Sequence, residues 1–598
     1  MRIIKREPGA PKRNVILDMS VPIEPQEYDI KTCTNRVAIF DTETDPFELN
    51  RVVEPFTCGY WLPDTDEYFD FWGDDCIAQF FAHLVKYHGE ETLTFFVHNG
   101  GNFDFYFITE FFDSGHAPFI INGRLVKVIA GGHEFRDSYA MIPVALAVYD
   151  KMTMDYDKLQ RWPCSIVSTR KTVMVREYYK AEILEYMKRD CTSLGELVTN
   201  YLDMFGNKMT MASVALPMLR SYHGFDTIWE TLDTELRPYY FGGRNQCFAT
   251  GILKGDWKIY DINSSYPDVM KRYKHPVSAN PIPRNKITEN TMFAHIRAHS
   301  LGALPTRNEN GSLSFPIGTG DFFACIHEIN AGIATGTLTI HKVYTAYEYD
   351  ETTNFSDFVD TFYKMRLEAS TNGDEIRKLF YKLILNSSYG KFAMDPRRYE
   401  KYLFDPNEIP SPDYCDKCHS QVTGGINPNP CDTCISEVTS PWGWHLHSMH
   451  MGRMIYSQPI RIRSNNFYNV ATAASITSAA RASLLYAINE TERPVYCDTD
   501  SIICEGLTES EHIRFDDKEL GAWKLEAVGD TACIAGKKLY AVYNDGDVVK
   551  KASKGVRLTA DEIKRVCNGE VIEYANPVPK FSLGHDAQFT TRRIRRTG

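Results

Sequence analysis

The sequence has no apolar run long enough to cross a bilayer. Its best stretch, Met141–Tyr149 (MIPVALAVY), is about half of the ~20 residues that a helical span requires. The basic opening MRIIKREPGAPKRN is followed by no apolar segment, so a secretory signal is not expected and the protein is predicted to be soluble and intracellular. No internal repeat or low-complexity tract is present, which excludes solenoids and arrays. A surplus of positive charge is also missing: 66 Lys and Arg face 78 Asp and Glu, a net charge of −12. Bulk charge therefore argues against a nucleic-acid partner, although such binding depends on local patches. An even cysteine framework is lacking too. The 15 cysteines in a chain without a signal exclude a disulfide scaffold, and most of them read as buried apolar residues.

What is present describes a large globular α/β chain. Its 598 residues are enough for about four domains, and 43% hydrophobic against 24% charged residues rules out wholesale disorder. Strands are predicted at Arg36–Phe40, Thr92–Val97 and Lys258–Ile262, and helices at Lys180–Leu202 and Asp374–Leu385. Pro494–Ile503 reads as two short strands around an Asp-Thr-Asp turn. The region 395–456, rich in Pro, Gly, Asn, Asp and Ser, reads as an inserted element. The basic tail TRRIRRTG is expected to fray.

Two sets of carboxylates carry chemistry. In the first, Asp41 and Glu43 follow an apolar strand. Side chains at i and i+2 of a strand point to one side, so the two acids converge and favour a divalent cation. Alone, such a pair is a weak signal that fits a solvated strand end far better than a metal site. Asp104 closes the segment His98-Asn99-Gly-Gly-Asn102-Phe103-Asp104, and Tyr186 and Asp190 share one helix face. In the second set, Asp261 opens Asp261-Ile-Asn-Ser264-Ser265-Tyr266-Pro267, and Asp498 and Asp500 occupy Tyr496-Cys-Asp498-Thr-Asp500-Ser501. Between them, Lys378, Lys382 and Asn386 form one helical stripe that suits a triphosphate tail, ahead of Tyr389-Gly390.

In this order the motifs resemble those of family B DNA polymerases carrying a proofreading exonuclease of the DnaQ type. The resemblance spans about 40–540 of the chain. It implies an RNase H-like nuclease joined to a right-hand palm, fingers and thumb. It also implies primer-template DNA, single-stranded DNA and dNTPs as ligands, with two Mg²⁺ (or Mn²⁺) ions at each site. Asp41, Glu43, Asp104 and Asp190 would hold the nuclease ions, with Tyr186 positioning a water. Asn99 and Phe103 would hold the unpaired 3′ end. Asp261 and Asp500 would bind the polymerase ions, with Asp498 in support. Tyr266 would stack beneath the incoming sugar, Lys382 and Lys378 would meet the triphosphate, and Asn386 and Tyr389 would line the base-pair pocket. Thr477, Arg481, Lys538 and Tyr540 match motifs that hold the primer end. Ser265 departs from the usual Leu.

Room for insertions at 268–352 and 393–456 resembles the protein-primed branch, in which the first insertion meets a terminal protein and the second closes a channel around DNA. Ser138 and Tyr139 look like that branch's single-strand contact, and Lys151 like its catalytic lysine. Tyr240-Phe-Gly242-Gly243 matches its linker between synthesis and editing, although an ordinary turn reads the same way. The implied order is exonuclease 1–205, linker and first palm part 206–267, first insertion 268–352, fingers 353–392, second insertion 393–456, second palm part 457–526 and thumb 527–598. The implied setting is the host cytoplasm of a virus- or plasmid-encoded monomer.

Independently of that resemblance, Cys415, Cys418, Cys431 and Cys434 form CxxC-x12-CxxC, a spacing that fits a tetrahedral structural Zn²⁺. Reduced thiols or a redox pair also fit it. Lys550, Lys551, Lys554 and Arg557 form either a solvated face or a phosphate-binding thumb surface. Two readings compete with an active polymerase: a nuclease with a degenerate polymerase half, and a non-catalytic replication-initiation factor. The intact acids argue against both.

Overall fold

The computed structural model describes residues 35–44, 53–121, 123–146, 176–228, 230–395, 400–405, 445–450, 453–459, 468–583 and 585–597. Lys151 and the four cysteines of the CxxC pairs lie outside the described residues.

The first body is a seven-stranded mixed sheet. At its centre Arg36–Thr44 and His133–Asp137 both run parallel to Leu93–Val97. A parallel strand covered on both faces reads as continuous apolar sequence, and all five residues of Leu93–Val97 are buried. The helix Lys180–Phe205 packs on the strands Arg36–Thr44 and Pro55–Leu62. Its buried face runs through Ile183, Met187, Asp190, Cys191, Leu194 and Val198, so Asp190 points inward with the apolar stripe. Gly195 lies where Trp61 crosses the helix. A Cβ at that position would sit 2.2 Å from Trp61 Cζ3.

The second body is built on a seven-stranded antiparallel sheet. Gly251–Ile262 lies between Trp523–Gly536 and Ser501–Cys504, and Tyr496–Asp498 pairs with Asn245–Cys247 at one edge. The helix Val470–Asn489 is buried along almost its whole length, and its Ala, Ser and Thr residues let its neighbours approach on every side. One neighbour is a four-stranded sheet of Ile282–Arg284, Leu338–Glu348, Thr291–Leu301 and Ile317–Cys325. Its core of Ile296, Ala298, Phe322 and Ile329 is continuous with Ala482 and Leu485 of that helix.

Two helices, Ser356–Thr371 and Glu375–Ser387, form an antiparallel pair. Asp374 caps the second by accepting from the Arg377 N–H. A three-stranded sheet is formed by Glu400–Phe404, Arg453–Pro459 and His445–His450. Phe404 and Ile455 join the core of the first body, and Arg453 donates to the carbonyls of Thr109 (2.9 Å) and Phe112 (2.6 Å). The C-terminal hairpin Ile572–Ser582/His585–Ile594 also reaches the first body, where Phe581 stacks on Tyr106 at 5.3 Å. The tail expected to fray is instead tied down. Arg596 donates to the Cys567 carbonyl (3.1 Å), and the Thr597 N–H donates to the Ala535 carbonyl (3.0 Å).

Candidate active sites

The strand Gly251–Ile262 delivers Asp261 directly opposite Ser501. The Ile262 N–H donates to the Asp500 carbonyl at 2.7 Å, which places the two acid-bearing backbones side by side. Between Asp498 and Asp500, Thr499 takes a left-handed backbone (φ 58°). That turn is closed by an Asp500 N–H to Asp498 carbonyl bond of 2.6 Å. Burial, with the Asp500 charge next in weight, pushes Asp261 up to about 7, while Lys550 and Lys382 pull the other way. Burial and the Asp498 charge push Asp500 up to about 6. Acids that repel one another in a half-buried site form a donor set suited to divalent cations. Asp498 stands apart, since the Lys538 ammonium holds it at 2.8 Å.

Tyr266 and Tyr389 stack at 4.4 Å with their planes 16° apart, forming a flat aromatic floor near the acids. Asn386 and Lys382 are exposed on the adjoining helix. Lys378 pairs with Glu375 at 2.9 Å, a surface pair of small worth. Lys382 is therefore the cation of the stripe that faces Asp261.

The first body holds the other acids. Carboxylate oxygens of Asp41, Glu43 and Asp190 lie within 4.8 Å of one another, a spacing at which one cation could touch all three. Tyr186 stands one helical turn before Asp190, half-buried. Asp104 is buried, accepts a hydrogen bond from the Thr42 hydroxyl, and is pushed up to about 7 by that burial. Its charge and those of the three clustered acids all act on the Cys191 thiol, so the four acids share one neighbourhood.

Sequence comparison identifies the family. The pattern of DNA polymerase type B, organellar and viral, matches residues 170–423. A DNA-directed DNA polymerase of Enterobacteria phage PRD1 is 39% identical over 593 residues, covering 94% of this chain and 98% of that one. The chain belongs to the type B DNA polymerase family. It is accordingly a DNA-directed DNA polymerase, a nucleotidyltransferase. A DNA polymerase of Bacillus phage Nf is 24% identical over 398 residues, covering 60% of this chain and 59% of its own. Among solved structures, Phi29 DNA polymerase with primer-template DNA matches with a TM-score of 0.64 at 18% identity, covering 94% of this chain and 99% of that one. The Phi29 ternary complex with primer-template DNA and incoming nucleotide matches at 0.63 and 17%, covering 94% and 100%. The multidomain α/β architecture expected from the sequence is thus the fold of this polymerase.

Several residues expected to touch DNA are turned inward. Ser138 is fully buried and donates to the Val97 carbonyl at 3.2 Å, because it starts a short helix beneath the sheet. Thr477 and Arg481 are buried in the helix Val470–Asn489: Thr477 donates to the Ala474 carbonyl (3.2 Å), and Arg481 pairs with Glu328 (2.8 Å). Tyr540 is buried against Tyr496, with ring centroids 4.9 Å apart. In this structure Ser138, Thr477, Arg481 and Tyr540 are thus each engaged in protein contacts. Tyr139 stays half-exposed under the Arg124 guanidinium at 4.5 Å. Phe103 packs edge-on against Phe581 at 5.5 Å. Asn99 takes a left-handed backbone (φ 63°) and accepts from Arg124 at 2.7 Å. Tyr240, Gly242 and Gly243 lie between the helix Val470–Asn489 and the Thr499 turn. A Cβ on Gly243 would meet Thr499 Oγ1 at 2.7 Å, so an ordinary turn does not account for that glycine.

Sequence reasoning missed three contributors. Arg124 joins Asn99, Asp137 and Tyr139 into one support. Arg366 reaches across from the helix Ser356–Thr371 to Ser264 Oγ at 3.0 Å, beside the Asp261 strand end. Glu526, held by Lys550 at 2.5 Å, adds negative charge beside Asp261 and Asp500. No motif marks any of them; only the fold brings them to the sites.

Proposed function

We propose that this polymerase joins templated synthesis at Asp261 and Asp500 to 3′-to-5′ proofreading at Asp41, Glu43, Asp104 and Asp190, and starts from a protein primer. The observation that carries the reading is two separate carboxylate clusters on two sheets of one chain. Mg²⁺ or Mn²⁺ at each cluster would neutralise phosphate charge and assist in-line displacement. The chain's own residues do the rest of the work. Tyr266 and Tyr389 support the incoming nucleotide, Lys382 and Arg366 meet its triphosphate, and Lys538 restrains Asp498. In the nuclease site Tyr186 orients the attacking water, and Asn99 and Phe103 receive the frayed 3′ end. In this reading the exonuclease spans 1–205 and the thumb 527–598.

The test is an end-labelled primed template with Mg²⁺, with and without dNTPs. Extension with dNTPs that Asp500→Ala loses, and shortening without dNTPs that Asp500→Ala keeps, support the reading. Shortening under both conditions by the wild type contradicts it. Protein priming is supported by the two insertions and by the likeness to the phage polymerases. Its test is transfer of labelled dNMP to a candidate terminal protein in the absence of a DNA primer; no transfer to any protein encoded with this chain contradicts it. Zinc at Cys415, Cys418, Cys431 and Cys434 is supported by spacing alone. One equivalent by metal analysis, lost in Cys415→Ser with Cys431→Ser, is expected; none in the wild type contradicts it.

A further inference from the structure

The palm helix carries a buried cation whose partners come from two other parts of the chain. The Arg481 Nε and Nη2 each donate to one carboxylate oxygen of Glu328, both at 2.8 Å. Its Nη1 donates to the carbonyls of Phe241 (2.6 Å) and Gly242 (2.8 Å). The Arg481 and Glu328 side chains are both 2% exposed. Glu328 lies on the helix Ile326–Ala334 of the first insertion. The insertion grips the same segment elsewhere: Arg307 donates to the Tyr240 carbonyl at 2.9 Å, and the Arg244 guanidinium lies 4.2 Å from the Phe315 ring.

The segment held in this way touches the catalytic turn. The Thr499 N–H donates to the Arg244 carbonyl at 2.6 Å, and Gly243 leaves no space for a Cβ beside Thr499 Oγ1. Thr499 separates Asp498 from Asp500 and holds a left-handed backbone that a non-glycine residue adopts only under constraint. A guanidinium donates in its own plane, so a two-point carboxylate fixes the direction of the remaining donors.

We infer that Glu328 is a positioning residue for nucleotide incorporation: through Arg481 it fixes the Phe241–Arg244 backbone against the turn that carries Asp498 and Asp500. The inference rests on the assignment of synthesis to Asp261 and Asp500. Loss of the carboxylate leaves Arg481 a buried cation that must seek another partner or water, and the two carbonyls lose their fixed donor. The catalytic turn is then misplaced while the nucleotide pocket of Tyr266, Tyr389 and Lys382 stays intact.

The experiment is single-nucleotide incorporation on primed template. Glu328→Gln should lower kcat by at least about tenfold, the scale expected for a misplacement of an ångström or less, with the KM for dNTP unchanged within about twofold. The double variant Glu328→Met with Arg481→Met removes both charges and keeps apolar volume, so its Tm should rise above that of Glu328→Gln. Its kcat should stay low, because the Phe241 and Gly242 carbonyls still lack their donor. Wild-type kcat in Glu328→Gln overturns the inference. So does a double variant whose kcat recovers together with its Tm, since the pair would then act through stability alone. If Glu328→Gln does not fold, the double variant carries the test by itself. Asp500→Ala is run in parallel: full extension by that variant removes the assignment of the site, whatever Glu328 does.

Discussion

The two carboxylate clusters are assembled by different means. In the second body, Asp261 and Asp498 come from strands of one antiparallel sheet and Asp500 from the turn that joins two of them, so backbone hydrogen bonds set their spacing. In the first body, Asp41 and Glu43 come from a strand, but Asp190 comes from a helix that no ladder holds. Side-chain packing alone brings that helix to the strand. A ladder-built site is sensitive to the turn that ends it. A packed site is sensitive to the contacts that dock its helix.

The largest effect should come from removing an acid. Asp261→Asn is expected to lower primer extension by at least about three orders of magnitude while degradation of single-stranded DNA stays at the wild-type rate. Parallel loss of both activities would break the comparison.

The next effect separates the turn from the helix dock. Gly243→Ala brings a Cβ within 2.7 Å of Thr499 Oγ1, and extension should fall by about tenfold or more with degradation intact. Gly195→Ala is the mirror test, since its Cβ would overlap the Trp61 ring at 2.2 Å. Degradation should fall several-fold, extension should hold, and Trp61→Leu in the same chain should restore part of the loss. Steady-state rates on primed and single-stranded substrates check both. Absence of rescue would mean that the helix is not docked through Trp61.

The smallest effect is on stability. Asp261, Asp104 and Asp500 have values raised to about 7, 7 and 6 by burial, aided at Asp261 and Asp500 by neighbouring acids. A carboxyl whose folded value is raised binds more protons folded than unfolded, so cation-free stability should decline as pH rises from about 4 to about 7. Above that range the acids are ionised and ready for a cation. Mg²⁺ should therefore raise Tm by more at about pH 8 than at about pH 5.5. Thermal scans with and without Mg²⁺ test this. An equal shift at both values, or a larger one in acid, contradicts it.

Most of both sites was legible because their chemistry sits at strand ends and turns. The pair Asp41 and Glu43 follows period-two geometry, and Asp498-Thr-Asp500 lies in a short hairpin. The stripe of Lys382 and Asn386 follows helical spacing in the observed helix Glu375–Ser387. What the sequence hid is long-range. Arg481 reads as a basic residue on a helix, and nothing local says that Glu328, far off in the chain, buries it. Ser138 reads as a polar surface residue, and only the neighbouring strand's Val97 carbonyl makes it a buried one. Arg366 and Glu526 belong to no motif, and only tertiary packing brings Arg366 to Ser264 and Glu526 beside Asp261 and Asp500. The tail's arginines look free until the thumb is folded around Arg596 and Thr597.

The central claim is that one chain carries two independent sites. The most direct measurement compares Asp41→Ala and Asp500→Ala on one end-labelled primed template, with and without dNTPs. The account predicts reciprocal loss: Asp41→Ala extends but does not shorten, and Asp500→Ala shortens but does not extend. Loss of both activities in either variant, or shortening that survives Asp41→Ala at the wild-type rate, would contradict it.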